Sequence, residues 1–247
     1  MSRVRTNFVG NTRSSRALYA VGRFLVAGFF RVYTRMTIEG RDRLPAEGGY
    51  VFAPVHRSYV DTPISSWVST RRMRFMGKDS MWKYERLGKL FSALGAFPVS
   101  RGTTDREALK RCTTILASGE PLVLFPEGER KDGPTVQPLY DGAAYIASRA
   151  GVPIVPVGIG GSADVMPRGA RFVYPHRVHV VVGEPFLVET NERGRATRET
   201  LDAATARLHD ELQRLFDAAQ AAVDRPSTRS SEEVGPVSPR RAGQSEK

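Results

Sequence analysis

A histidine and an aspartate five positions apart are the residues of this sequence best suited to acid–base chemistry. His56 and Asp61 lie in the segment VHRSYVD at 55–61, directly after a short apolar run at 50–53. An imidazole accepts a proton from a hydroxyl group near neutral pH, and a nearby carboxylate fixes its tautomer and stabilises the imidazolium ion. The pair therefore indicates base-assisted attack by a hydroxyl group, which can belong to a substrate and need not be a serine of the protein.

A structural role for the same pair is the alternative. Asp is a favoured N-cap residue and Pro suits the first helical turn, so Asp61 can cap a helix that begins at Thr62 and Pro63. His56 would then be an ordinary residue at the end of a strand. The two roles are compatible, and short motifs occur often by chance, so the pair needs support from the rest of the chain.

The overall composition narrows the classes of partner. The 247 residues include 37 lysines and arginines against 26 acidic residues, a formal net charge of +11 that calls for anionic partners. Such partners are nucleic acid, an anionic membrane surface, phosphorylated substrates, coenzyme A and acidic acyl carrier protein. The sequence carries no recognised nucleic-acid-binding motif, so nucleic acid is not expected. The single cysteine, Cys112, excludes an internal disulfide and a multi-thiolate zinc site.

The N-terminal region is predicted to have two parts. Residues 1–12 are expected to be disordered, and residues 13–35 to form an amphipathic helix. At about 100° per residue, one side of this helix carries Arg13, Arg16, Arg23 and Arg31, and the opposite side carries Val21, Leu25, Phe29 and Val32. The arginines interrupt the apolar run too often for a bilayer span, so we expect the helix to lie in the membrane interface. The alternative is a surface helix packed on the domain with a solvated basic face.

The remainder of the chain alternates between strand-like and helix-like segments. Apolar, strand-like runs occur at 49–53, 73–76, 96–99, 121–125, 153–159 and 178–182. Helical patterns occur at 62–70, 80–94, 105–118 and 140–150, and a long amphipathic helix is predicted at 196–222. This alternation predicts an α/β domain over 36–223, with a mixed, largely parallel sheet flanked by helices. The polar, Ser- and Pro-rich segment 224–247 is predicted to be a disordered tail.

Three further motifs follow the His–Asp pair in the chain. They are GAFPVSR at 95–101, LFPEGER at 124–130 and VPIVPV at 152–157. In sequence and order, the four motifs together resemble those of the glycerolipid acyltransferases, the superfamily that acylates glycerol 3-phosphate and 1-acylglycerol 3-phosphate. The sequence departs from the family pattern at Val55, where Asn or Ser is usual, and at Glu129, where Thr or Ser is usual.

The resemblance implies roles for particular residues. His56 would be the general base and Asp61 its orienting partner. Arg101 would bind the phosphate of the acceptor, for which the forked guanidinium is well suited. In the third motif, Gly128 would let the backbone approach a ligand closely.

The charged residues of the third motif complete the predicted substrate-binding set. Arg130 would add positive charge, and Glu127, which cannot favourably bind a phosphate, would hold an arginine or a substrate hydroxyl. No metal site is expected, because His176 and His179 lie three residues apart near a strand and so point to opposite faces.

The predicted function is transfer of a fatty acyl group from acyl-CoA or acyl carrier protein to the hydroxyl of 1-acylglycerol 3-phosphate. No cofactor beyond the thioester co-substrate is expected, and the predicted location is the cytoplasmic face of the cell membrane, as a peripheral or monotopic protein. Glycerol 3-phosphate, another lysophospholipid or a glycolipid sugar hydroxyl are alternative acceptors. A non-catalytic basic membrane-binding protein is the alternative from a different class.

Overall fold

A computed structural model describes residues 12–99, 106–191 and 194–225, apart from the side chains of Lys78 and Arg106. Its strands are β1 (Thr37–Glu39), β2 (Val51–Pro54), β3 (Arg74–Lys78), β4 (Ala96–Val99), β5 (Leu122–Val123), β6 (Ile154–Gly160) and β7 (His179–Val182). Its α-helices are α1 (Arg13–Gly22), α2 (Gly28–Tyr33), α3 (Asp61–Val68), α4 (Glu85–Ala93), α5 (Arg106–Ala117), α6 (Gly142–Ala150), α7 (Ser162–Val165) and α8 (Arg198–Asp224). A π-helical turn at Arg23–Ala27 joins α1 to α2, and 3₁₀ turns occur at Arg41–Arg43 and Asp79–Lys83.

Within the described ranges, the strands form one seven-stranded sheet in the order β1-β7-β6-β2-β5-β3-β4. Neighbouring strands are parallel except β6 and β7, which are antiparallel. In the centre of the sheet, Phe52 of β2 lies opposite Val123 of β5 on one side and Val155 of β6 on the other. The predicted α/β architecture with a mixed, largely parallel sheet is therefore confirmed.

Strand β2 occupies the middle of the sheet because its residues are apolar on both faces. All four of its residues are buried, as are all seven of β6, which is typical of parallel strands covered by helices on both sides. Strands β6, β2, β5, β3 and β4 run in the same direction, so their carboxyl ends meet at one edge of the sheet. That edge is where side chains of α/β proteins commonly form a site, and His56 follows β2 there.

The long helix α8 packs directly on β6. Its residues Leu208, Leu212 and Leu215 are buried, and the backbone of the helix passes so close to the strand that a Cβ atom at Gly158 or Gly160 would collide with it. Close helix–strand packing therefore explains the glycines at 158 and 160.

Several details of the fold differ from the sequence-based expectations. Strand β1 was not predicted, because its three residues are at the edge of the sheet and only Ile38 is apolar. The predicted helix at 80–94 is divided into a 3₁₀ turn and α4. Of the segments predicted to be disordered, 1–12 and 224–247, residues 1–11 and 226–247 lie outside the described residues, whereas Thr12 caps α1 and Asp224 is the last residue of α8.

Candidate active site

The first motif forms a hydrogen-bonded pair at the carboxyl end of β2. His56 Nδ1 lies 2.9 Å from Asp61 Oδ2, and the Asp61 side chain is fully buried while that of His56 is 14% exposed. Because the carboxylate is an acceptor here, Nδ1 carries the proton of the neutral imidazole. No described residue hydrogen bonds to Nε2, which leaves that nitrogen to accept a proton from a substrate.

The carboxylate of Asp61 is held by the backbone of the same loop. Its Oδ2 atom accepts hydrogen bonds from the amides of Arg57 and Ser58, both at 2.7 Å. Asp61 is itself the first residue of α3, Val60 occupies the N-cap position, and no side chain caps this helix. The capping interpretation of Asp61 is therefore wrong in this structure: the carboxylate turns back toward His56 instead of toward the helix amides.

The imidazole of His56 stacks on the ring of Phe125, a contact that sequence reasoning missed. The two ring centroids are 3.8 Å apart and the planes differ by 19°. Phe125 belongs to the third motif and follows β5, which pairs with β2. Adjacent parallel strands thus bring the first and third motifs together, and the aromatic ring restricts the orientation of the imidazole from one face.

Glu127 is buried against the loop that carries His56. Its carboxylate accepts from the Nη1 atom of Arg57 at 2.8 and 2.9 Å, from the amide of His56 at 3.0 Å and from the amide of Gln137 at 3.1 Å. The side chains of Arg57 and Glu127 are 2% and 0% exposed. Glu127 does hold an arginine, but its buried position supports a positioning role and not the predicted direct contact with substrate.

Arg57 is the other functional residue that sequence reasoning missed. Besides Glu127, its guanidinium contacts the carbonyl of Thr135 at 3.2 Å and lies over the ring of Phe216, 4.8 Å from the centroid. The charge therefore has buried partners on several elements, and it fixes the loop between His56 and Asp61 against the third motif. Two features of the sequence could have indicated this ion pair: an arginine next to the candidate base, and a glutamate in another motif.

Gly128 closes the turn that presents the third motif. Its amide donates to the carbonyl of Phe125 at 3.0 Å, and its φ of +73° favours glycine. A Cβ atom at this position would lie 2.6 Å from the Tyr140 ring. The close approach that glycine allows here is to that ring.

Arg130 provides partly buried positive charge next to the loop that carries His56. Its guanidinium lies over the ring of Tyr59, 3.4 Å from the centroid, and the next residue, Lys131, donates its amide to the carbonyl of His56 at 2.9 Å. No ion pair joins Arg130 to a described carboxylate. This arrangement suits a phosphate ligand, because the cation is oriented by an aromatic ring and is not neutralised.

The remaining predicted residues are structural or lie elsewhere. Arg101 lies outside the described residues. The fourth motif forms the buried start of β6, which pairs with β2 over Ile154–Val157 and supports the strand that leads to His56. In the described part of the chain, no group of three or more His, Cys, Asp or Glu residues could hold a metal ion, and none of its helices is both long and apolar enough to cross a bilayer.

A largely parallel α/β sheet with a His–Asp pair at the carboxyl ends of its strands defines a class of protein. Comparison with known proteins identifies that class. The family model described as Acyltransferase matches residues 35–160, which is about half of the chain. The chain therefore belongs to the Acyltransferase family. The matched range contains the site residues from His56 to Arg130.

Individual relatives agree with this family. The chain is 26% identical over 179 residues to a 1-acyl-sn-glycerol-3-phosphate acyltransferase of Bacillus subtilis, covering 72% of this chain and 86% of the relative. It is 28% identical over 158 residues to a chloroplast enzyme of the same name from Brassica napus, covering 62% of this chain and 45% of the relative. The chain thus spans less than half the length of that plant relative.

A solved structure shares the fold. The 1-acyl-sn-glycerophosphate acyltransferase PlsC from Thermotoga maritima superposes with a TM-score of 0.64 at 21% sequence identity, covering 84% of this chain and 85% of that protein. At this identity the likeness concerns the fold.

Proposed function

We propose that the protein transfers a fatty acyl group from a thioester donor to the free hydroxyl of 1-acylglycerol 3-phosphate, forming phosphatidic acid. The observation that carries the proposal is the pair of His56 and Asp61, 2.9 Å apart, with Nε2 free for a substrate. Membership of the Acyltransferase family and the names of the bacterial and plant relatives support the same reaction and acceptor.

In the proposed reaction, Nε2 of His56 removes the proton of the acceptor hydroxyl as its oxygen attacks the thioester carbonyl carbon. A C–O bond forms, the C–S bond breaks, and the proton held by the imidazole passes to the departing thiolate. Asp61 holds Nδ1 and stabilises the positive charge that develops on the ring. The scheme needs no acyl-enzyme and no cofactor beyond the co-substrate, acyl-CoA or acyl carrier protein.

The acceptor phosphate is proposed to bind to arginines. Arg130 is supported by its position next to the His56 loop and by its orientation over Tyr59. Arg101 remains a proposed ligand on the basis of its motif. Replacing either by lysine keeps the charge but loses the forked geometry, so we expect KM for the acceptor to rise and KM for the donor to change little.

We also propose that the protein acts at the cytoplasmic face of the cell membrane, where the lyso-acceptor resides and the thioester donors are available. The N-terminal helical segment exposes Phe24, Leu25 and Val32 by 71%, 62% and 75%. A row of exposed apolar side chains on a basic protein favours a peripheral position in an anionic lipid interface.

A thiol-release assay with acyl-CoA and a panel of acceptors tests the proposed function. The panel contains 1-acylglycerol 3-phosphate, glycerol 3-phosphate, a lysophospholipid without the free phosphate and a glycolipid. We expect release of coenzyme A that depends on 1-acylglycerol 3-phosphate. Release with another acceptor alone would reassign the substrate, and no release with any acyl-CoA or acyl carrier protein would favour a non-catalytic membrane-binding protein.

Two variants connect the assay to the site. His56→Ala and Asp61→Asn should each lower kcat by about 100-fold or more, the scale of a lost acid–base group. Circular dichroism and gel filtration establish that the variants are folded. Near-normal turnover by a folded His56→Ala protein would rule out the mechanism.

A further inference from the structure

The helix that begins with Asp61 is held at its other end by an arginine from the N-terminal segment. Nε of Arg23 donates to the carbonyl of Ser66 at 2.8 Å, and Nη2 donates to the carbonyl of Ser69 at 2.7 Å. The last carbonyl groups of an α-helix have no partner within the helix, and a cation near them is favourable. Arg23 therefore satisfies the C-terminal end of α3 from outside the helix.

A second arginine binds the same helix end. Nε of Arg41 donates to the carbonyl of Val68 at 2.7 Å and Nη2 to that of Trp67 at 2.5 Å. Arg23 also lies over the Trp67 ring, 4.9 Å from its centroid. The pKa of Arg41 is lowered, first by burial and then by the nearby charge of Arg23. Two cations brought together in this way need the helix carbonyl groups to offset their repulsion.

Arg23 comes from the only part of the described N-terminal segment that is π-helical. The turn Arg23–Ala27 joins α1 and α2, and the residues that follow Arg23 in it, Phe24, Leu25 and Val26, are exposed by 71%, 62% and 52%. Such π-helical turns inside α-helices are rare and occur often at functional sites. Here one short turn carries both an inward-facing arginine and an exposed apolar surface.

Helix α3 connects the contact of Asp61 with His56 to the contact of Arg23 with the helix end. It has eight residues from Asp61 to Val68, about 12 Å of rigid helix. Its first residue supplies the carboxylate that orients His56, and its last turn is bound by Arg23. The helix is therefore a physical connection between the N-terminal segment and Asp61.

We propose that Arg23 is a positioning residue, which sets the place of Asp61 through α3 and so couples the catalytic pair to the exposed apolar segment. The proposal rests on the proposed acyl transfer, because its kinetic effect is measured in that reaction. Arg23 does not contact the reacting atoms, and its removal should alter catalysis without removing a ligand of the substrate.

The test compares Arg23→Gln and Arg23→Lys with the wild-type protein, using a water-soluble short-chain acceptor so that membrane binding plays no part. Arg23→Gln should lower kcat about tenfold with KM nearly unchanged, a fraction of the loss for a missing acid–base group. Arg23→Lys should lose about threefold, because an ammonium cannot reproduce the forked contact. The matched control is Arg149→Gln, which removes an exposed arginine from the last turn of α6, a helix without candidate site residues, and should leave kcat unchanged.

A double-mutant cycle with Asp61→Asn separates positioning from a general loss of structure. If Arg23 acts through Asp61, either substitution of Arg23 should cost little further activity in the Asp61→Asn background. Equal losses in both backgrounds would overturn the proposal, as would wild-type kcat in Arg23→Gln. If Arg23→Gln does not fold, the cycle is decided with Arg23→Lys.

A spectroscopic measurement tests the positioning role of Arg23 independently of acyl transfer. The chain has four histidines, so the Nδ1 proton of His56 can be assigned by its absence in His56→Ala. Its resonance should shift in Arg23→Gln and not in Arg149→Gln. An unshifted resonance would overturn the positioning role, whereas a shifted resonance in a protein without acyl transfer would leave the role intact and refute the enzymatic proposal.

Discussion

The ring of His56 lies against the ring of Phe125, with centroids 3.8 Å apart and planes within 19° of parallel. The two residues come from motifs almost seventy positions apart in the chain and meet because β2 and β5 are neighbours. The contact closes one face of the imidazole, while Asp61 fixes one of its nitrogens. The remaining nitrogen is thereby held in one direction, as a general base requires.

Replacing this ring should reduce turnover without affecting substrate binding. Phe125→Leu keeps an apolar residue but removes the flat surface, so we expect kcat to fall about fivefold to tenfold with KM for both substrates unchanged, since only proton transfer suffers. Phe125→Tyr should retain most of the activity. Phe91→Leu, which disrupts an aromatic pair with Trp82 on another part of the protein, is the control and should keep wild-type kcat. A Phe125→Leu enzyme with normal kcat would show that the stacking has no catalytic role.

Glu127→Gln should destabilise the fold as well as the site. The buried guanidinium of Arg57 would lose its counter-charge, and removing one partner of a buried ion pair typically costs about 3–5 kcal/mol. Urea unfolding followed by circular dichroism measures the change. Glu129→Gln, which removes an exposed partner of Lys131 in the same motif, should leave the free energy of unfolding nearly unchanged. Equal stability of the two variants would contradict a structural role for the buried pair.

Much of this site could be predicted from the sequence, and the part that could not depends on distant packing. The His–Asp pair and the strand before it lie within a few residues of each other, so residue types and spacing identified them as candidates, and the order of the three later motifs supported the choice. The contacts of Phe125 with His56 and of Glu127 with Arg57 depend on which strands become neighbours. Pairing between strands far apart in the chain is decided by the whole domain and not by local pattern.

The N-terminal segment is a second place where contacts between distant parts of the chain could not be predicted from the sequence. Its apolar and basic periodicity predicted an amphipathic helix with Arg23 on its basic side. In the structure the π-helical turn changes the local register, and Arg23 reaches the carbonyl groups of Ser66 and Ser69. The carbonyl groups at the C-terminal end of α3 have no partner within that helix, so they accept hydrogen bonds from this arginine. The periodicity of one helix does not predict its contacts with the end of another helix.

Two buried phenols should make stability fall in alkaline solution. Burial raises the pKa of Tyr19 and of Tyr50 above their ordinary value of 10.0. Because each phenol ionises at lower pH in the unfolded chain than in the folded one, its contribution is fully present below pH 10 and is lost as the pH rises through the folded-state pKa. Urea unfolding between pH 8 and pH 11 should therefore show a smaller loss for Tyr50→Phe than for wild type. Parallel pH profiles would indicate that Tyr50 ionises equally in both states.

The exposed apolar turn at the N-terminus should govern binding to lipid. Phe24 and Leu25 are 71% and 62% exposed, so the double variant Phe24→Glu with Leu25→Glu should fold normally while losing apolar contact and gaining repulsion from anionic lipid. In sedimentation with vesicles containing phosphatidylglycerol, we expect the bound fraction to fall several-fold, and acylation of a bilayer-embedded acceptor to slow while acylation of a water-soluble short-chain acceptor continues. The control is Leu187→Glu, since Leu187 is 63% exposed and follows Phe186, which pairs with Ile154 at the opposite end of β6 from His56. If the double variant sediments like wild type, lipid is bound by another surface.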